Sequence, residues 1–190
     1  VDLNSFAAWA DDVVWVLFCG LWKNCRASGY RAGCLFVSCD KRHARDYIEG
    51  LTMRASMRLC SNVPAQHAIQ TALGGYQSID DLVTAGGRLL RQRDLAHEML
   101  TSIPGVSCVK PQGALYMFPR LDPAVYPIED DRQFILELLE EERVLVVQGT
   151  GFNWFEPDHF RLVFLPNMDD LTEALQRVER FLEQYRRRYR

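Results

Sequence analysis

Residues Phe18-Cys19-Gly20-Leu21-Trp22-Lys23-Asn24-Cys25-Arg26-Ala27-Ser28-Gly29-Tyr30-Arg31-Ala32-Gly33, FCGLWKNCRASGYRAG, set a lysine and two arginines between two short apolar runs. Lys23 is one of only three lysines in an arginine-rich chain, so the position asks for something arginine does not supply. The flanking runs, VVWVLF at 13–18 and CLFVS at 34–38, are short and continuous. Such runs predict strands buried on both faces of a covered sheet. Lys23 then falls in a loop at a strand end, where open α/β sheets take their ligands.

A loop lysine there has two readings. It is an amine that forms an imine with a carbonyl, chemistry closed to arginine, or it is a solvated surface lysine. The following arginines favour the first, because a guanidinium grips a phosphate with paired hydrogen bonds.

Outward from this stretch, DKRHARDYIEGLTMRASMRL from Asp40 to Leu59 predicts a helix with Ala44, Tyr47, Ile48, Leu51 and Ala55 on one stripe. Pro64 suits the first turn of a second helix capped by Ser61 or Asn62 and ended by Gly74-Gly75. A long amphipathic segment runs from about Gly87 to Ile103. Beyond it VSCVK, ALYMFP, VLVV and HFRLVFLP predict short strands. Helical spacing returns over Asp130 to Glu141 and again from Asp169, where Leu171, Leu175, Val178, Leu182 and Tyr185 share a face. The fold class expected is α/β, the end of an α/β layer followed by a linking helix and a small α+β unit, divided as residues 1–86 and 87–190.

In HFRLVFLP the alternation of a strand puts Phe160, Leu162 and Phe164 on one face and Arg161, Val163 and Leu165 on the other. An arginine on an apolar face needs an anion, since burying it unpaired costs several kcal/mol. That anion is either an internal Asp or Glu or the carboxylate of a ligand. The nearby QGTGFN, 148–153, is a glycine-containing loop after a strand, too short and irregular to cradle a phosphate alone. His43, His67, His97 and His159 show no metal-ligand spacing, and no Ser or Cys has a recognisable His/Asp partner.

With 190 residues, 48% of them hydrophobic, the chain can build a real core. A net charge of -3 argues against a nucleic-acid surface, and the basic end YRRRYR suits a helix C-terminus. No stretch is long and apolar enough to span a bilayer. Six cysteines without any C-x-x-C spacing suit free thiols in a reducing cytosol. The expectation is a soluble, cytoplasmic protein without metal, nucleic-acid or membrane partner.

The run GLWKNCRASGYRAG resembles the cofactor-lysine motif S-K-x-x-R-x-x-G-[YFW]-R-x-G of the fold-type I, pyridoxal-phosphate-dependent aminotransferases of class I/II. The likeness extends through DKRHARDYIEGLTMRASMRLCSNVPAQHAIQTALGGYQSI, GVSCVKPQGALYMFPRLD, VLVVQGTGFNW and PDHFRLVFLP, blocks similar to those of the bacterial alanine-forming glutamate:pyruvate aminotransferases. The resemblance implies that Lys23 is the catalytic lysine bound to pyridoxal 5'-phosphate, that Arg31 and Gly20 contribute to cofactor binding, and that Arg161 binds the substrate α-carboxylate. It further implies a homodimer that exchanges alanine and 2-oxoglutarate with pyruvate and glutamate.

On the same resemblance the chain is the C-terminal part of the fold-type I large domain followed by the small domain. The family's glycine-rich phosphate turn and the other residues around its cofactor ring are then expected upstream of Val1. Trp22 departs from the motif, which has there a serine whose hydroxyl helps hold the phosphate. A truncated or decayed inactive product, or a ligand-sensing module built on the same fold, is the competing expectation.

Overall fold

The computed structural model describes residues 12–22, 25–38 and 40–189. Its chain divides into two compact units, Val1–Asp80 and Asp81–Arg190.

In the first unit, β1 (Trp15–Gly20) and β2 (Gly33–Ser38) form an antiparallel pair in which Cys19 faces Cys34 and Gly20 faces Gly33. A short 3-10 turn, Ser28–Tyr30, lies in the connection. After a 3-10 turn at Lys41–Ala44 come α1 (Arg45–Arg58) and α2 (Val63–Gly74). Asn62 caps α2 by accepting from the Ala65 amide, with Pro64 in the first turn, which needs no amide from it. The same Asn62 donates to the Tyr30 carbonyl at 2.9 Å, tying the start of α2 to the connection between the strands.

The expectation that β1 and β2 are buried on both faces does not hold. Among the described residues the strands pair only with each other, and Phe18 is 80% and Phe36 52% exposed. The apolar runs are correct as strand signals, but burial depends on what covers a sheet, and run length carries no information on that. The stripe on α1 is likewise open, with Ala44 covered and Tyr47 exposed.

The second unit begins in the single turn α3 (Asp80–Val83) and continues in α4 (Arg88–Ser102), β3 (Val106–Ser107), β4 (Tyr116–Met117), β5 (Arg120–Leu121), α5 (Asp131–Glu142), β6 (Val147–Gln148), β7 (Phe160–Val163) and α6 (Met168–Arg188). β7 is the centre of an antiparallel sheet of order β4-β7-β6, while β3 pairs with β5. Phe160, Leu162 and Phe164 project from one face of β7 into a core shared with Leu100, Phe134, Leu138 and the α6 stripe Leu171, Leu175, Val178, Phe181 and Leu182. Phe134 meets Phe181 edge-on at 5.3 Å and Tyr185 at 5.2 Å. Burial, reinforced by Tyr189 and Glu137, pushes the Tyr185 phenol up to about 12. The chain leaving β7 is pinned to α4: Arg88 donates to the Leu165 carbonyl at 2.7 Å, and the fully buried Gln92 donates to the Leu165 and Pro166 carbonyls. These ties leave the other face of β7 as the place where a functional side chain can stand.

Candidate functional site

That other face carries Arg161. Its neighbour across the β6 ladder is Val147, and Tyr116 lies on β4 opposite Val163, one step diagonal to Arg161. The guanidinium carbon sits 4.7 Å from the Tyr116 ring centre and 4.4 Å from that of Phe152. Cation–π contacts of this kind contribute about 0.5–2 kcal/mol each. No carboxylate among the described residues lies within ion-pair distance of Arg161, and its Nε is buried without a hydrogen-bond partner. Of the two anions its position allows, the internal Asp or Glu is therefore not there. The remaining in-plane N–H groups form a fork suited to a carboxylate.

Phe152 reaches Arg161 because the chain after β6 tightens into a 3-10 turn, Gly149–Phe152, that ends at Asn153 in the left-handed conformation. Gly149 donates to the His159 carbonyl at 2.8 Å, and a Cβ at Gly149 would stand 2.8 Å from that same oxygen. The approach is too close for any side chain. Thr150 is held by Asp131 at the start of α5 through two hydrogen bonds, backbone amide to Oδ2 at 2.9 Å and hydroxyl to Oδ1 at 2.7 Å.

Beyond the turn, the buried Asp158 carboxylate accepts from Arg120 Nε at 2.8 Å and Trp154 Nε1 at 3.0 Å, and pairs with His159 Nδ1 at 2.6 Å. Burial pushes this carboxyl up, but the hydrogen bonds from Arg120, His159 and Trp154 outweigh it and hold the group below the usual carboxylate range. His159 stacks on Phe118 at 4.7 Å, and Phe118 meets Phe152 edge-on at 6.4 Å. A continuous chain of contacts thus runs from the Asp158 network to the aromatic clasp of Arg161.

The first unit presents a second arginine in a hollow of about 500 Å³ whose walls include Gly20, Trp22, Ser28, Arg31, Cys19 and Cys34. Arg31 takes a left-handed backbone (φ 51°), donates through Nη1 to the Ser28 carbonyl at 2.9 Å, and has its guanidinium 5.9 Å from the Trp22 ring. Gly20 lies against that indole, where a Cβ would stand 3.0 Å from Trp22 Nε1. Burial, then the hydrogen bond with Cys19, pushes the Cys34 thiol up, so this cysteine is not poised as a thiolate nucleophile. Lys23, Asn24 and Cys39 lie outside the described residues. Gly20 and Arg31 therefore share one hollow, Arg161 stands in the other unit, and the other five cysteines are free thiols. Among the described residues no group of His, Cys, Asp and Glu is arranged to hold a metal, and no helix is long and apolar enough to cross a membrane.

Sequence reasoning passed over Tyr116, Phe152 and Asp131. The only signal for Phe152 was its place in a glycine-containing loop just after a strand, and nothing local links Asp131 to Thr150.

The family described as aminotransferase class I and II matches residues 2–178. The chain is 60% identical over 182 residues to an alanine aminotransferase of Mycobacterium tuberculosis, covering 96% of this chain and 42% of the relative. It is 56% identical over 182 residues to the glutamate-pyruvate aminotransferase AlaA of Escherichia coli K12, at 96% and 45% coverage. Among solved structures, an aminotransferase from Escherichia coli superposes with TM-score 0.89 at 55% identity, covering 96% of this chain and 45% of that one. An alanine aminotransferase from Pyrococcus furiosus gives TM-score 0.84 at 35% identity, with 95% and 45% covered. The chain spans less than half the length of the curated relatives it matches.

Proposed function

Because this chain belongs to the class I and II aminotransferase family, whose cofactor is pyridoxal 5'-phosphate, we propose that the protein works as a transaminase. It moves an amino group between alanine or glutamate and pyruvate or 2-oxoglutarate, the exchange named for its relative AlaA. The observation that carries this reading is Arg161, an arginine clasped by two rings with no internal carboxylate among the described residues. Both substrates of a transaminase bear an α-carboxylate, and a bidentate guanidinium holds it in a fixed plane.

The residues of the first unit fit the cofactor's phosphate end. Arg31 supplies the cation of the hollow, with Nη1 committed to Ser28 and further N–H groups available, and Gly20 leaves the wall beside it without a side chain. Pyridoxal 5'-phosphate, when bound, supplies the electron sink that makes the α-proton of an amino acid removable. In this reading Lys23 Nζ anchors the cofactor and then takes the proton from the substrate α-carbon. Arg161 fixes the plane of the substrate carboxylate and with it the orientation of the bonds at the α-carbon.

The same reading divides the chain into a cofactor-binding part, residues 1–86, and a linking helix with a small α+β domain, residues 87–190. It also places the protein in the cytoplasm as a homodimer, with amino and 2-oxo acids as its small-molecule partners. The test is an absorbance titration with pyridoxal 5'-phosphate followed by borohydride reduction and peptide mapping, on this chain and on one carrying the additional length of its relatives. A reduced pyridoxyl group on the Lys23 peptide is expected. Its absence from both sinks the assignment.

A further inference from the structure

The turn that carries Phe152 to Arg161 is held in turn by Asp131. Asp131 is 3% exposed, and no cation among the described residues lies within ion-pair distance of it. A buried carboxylate in that state is costly unless hydrogen bonds satisfy it. Its place in the first turn of α5 offsets part of the cost through the helix dipole. Thr150 satisfies both oxygens, with the amide on Oδ2 and the hydroxyl on Oδ1. Two hydrogen bonds from one residue fix its position and its orientation, whereas a single bond would leave it free to pivot.

What they fix is the 3-10 turn Gly149–Phe152. The turn is closed at its other end by the Asn153 amide donating to the Thr150 carbonyl at 3.1 Å. Phe152 is the last residue of the turn, and its ring stands 4.4 Å from the guanidinium carbon of Arg161. With Tyr116 at 4.7 Å, ring faces cover the cation, and only its in-plane edge is left to donate.

We propose that the Asp131–Thr150 pair is a positioning latch for Arg161: by locking the turn that carries Phe152, it holds the guanidinium edge in the plane that a substrate carboxylate must share. The latch acts through Phe152 and makes no contact with the ligand. The proposal rests on the reading of Arg161 as the carboxylate site and adds to it the residues that orient the site.

The test follows the Arg161 Nε–H resonance in ¹⁵N-labelled full chain, assigned by its loss in Arg161→Lys, during titration with 2-oxoglutarate. In the unaltered chain the flanking rings should displace this proton upfield from the solvent-exposed arginines. Asp131→Ala and Thr150→Val should return it toward the exposed position and raise the 2-oxoglutarate Kd about tenfold, while Thr150→Ser, which keeps the hydroxyl, preserves both values. Thr150→Val removes one hydroxyl at nearly constant volume, so it gives the readout even if Asp131→Ala fails to fold. An Arg161 resonance and an affinity unchanged in Thr150→Val overturn the latch. A resonance that moves in the variants, with no 2-oxoglutarate bound by this chain or by one carrying the additional length of its relatives, upholds the latch and refutes the carboxylate role.

Discussion

The guanidinium of Arg161 faces the ring of Phe152 at 4.4 Å, and no acidic side chain among the described residues competes for it. Removing one partner of a buried arginine–carboxylate pair costs about 3–5 kcal/mol. Arg161→Lys breaks no internal pair. The expected result is a change in unfolding free energy below about 1 kcal/mol, together with a loss of roughly 10- to 100-fold in kcat/KM for the 2-oxo acid, because lysine cannot reproduce the bidentate fork. Urea denaturation and steady-state kinetics measure the two quantities. A large stability loss with unchanged kinetics reverses the assignment.

Gly149→Ala tests the turn that carries Phe152. The added Cβ would meet the His159 carbonyl at 2.8 Å and the His159 Cβ at 3.0 Å, and neither can swing away as the end of a flexible side chain could. A destabilisation of about 1–3 kcal/mol is expected from this overpacking. It would be seen as a lower urea midpoint at unchanged slope. Substitution at Gly29, where a Cβ would meet nothing within 4 Å, provides the comparison.

Acid should weaken the second unit through Asp158. Its carboxyl is held below the usual range in the folded protein, so across that window the unfolded chain binds more protons than the native one, and stability rises with pH. The contribution is therefore complete above about pH 4, the range of an ordinary aspartate, and is lost as pH falls through the depressed folded value. Asp158→Asn removes this dependence. Urea midpoints measured from pH 6 down to pH 3 should fall less steeply in the variant than in the unaltered protein; parallel slopes would show that the Arg120, His159 and Trp154 contacts do not stabilise the ionised group.

In the hollow that carries Arg31 the informative residue is Trp22. Its indole forms part of the wall, lies against Gly20, and stands 5.9 Å from the Arg31 guanidinium. Trp22→Ser removes that bulk and restores the hydroxyl of the family motif. One added hydrogen bond to a charged phosphate is worth about 1.5–3 kcal/mol, so the Kd for pyridoxal 5'-phosphate should fall about tenfold or more in an absorbance titration. An unchanged or weaker affinity would mean that the indole contributes to holding the cofactor.

Much of the second unit was legible from local pattern. The spacing of Leu171, Leu175, Val178, Leu182 and Tyr185 predicts a buried helical stripe, and all of them are buried. Alternation in β7 separates Phe160, Leu162 and Phe164 from Arg161, as observed. Pro64 marks the first turn of α2, and of the two caps the sequence allows, Ser61 or Asn62, Asn62 is the one used. The first unit was less legible. VVWVLF and CLFVS predict strands and a strand lies over each, from Trp15 in the first, but their antiparallel pairing and open faces follow from partners that a short apolar run cannot specify.

For the site, the sequence by itself determined which residues are chemically able to act: a scarce lysine in a loop, Arg31 in a motif, and an arginine on the otherwise apolar face of a strand. Side-chain chemistry and the period of two residues in a strand are local properties, so they survive in the bare string of letters. Only the tertiary structure decided that Arg161 is stacked on rings rather than paired with an acid, and that Asp131 grips the turn that brings one of those rings into place. Those facts depend on the distance between groups far apart along the chain, and that distance is set by how α5, β4, β6 and β7 pack.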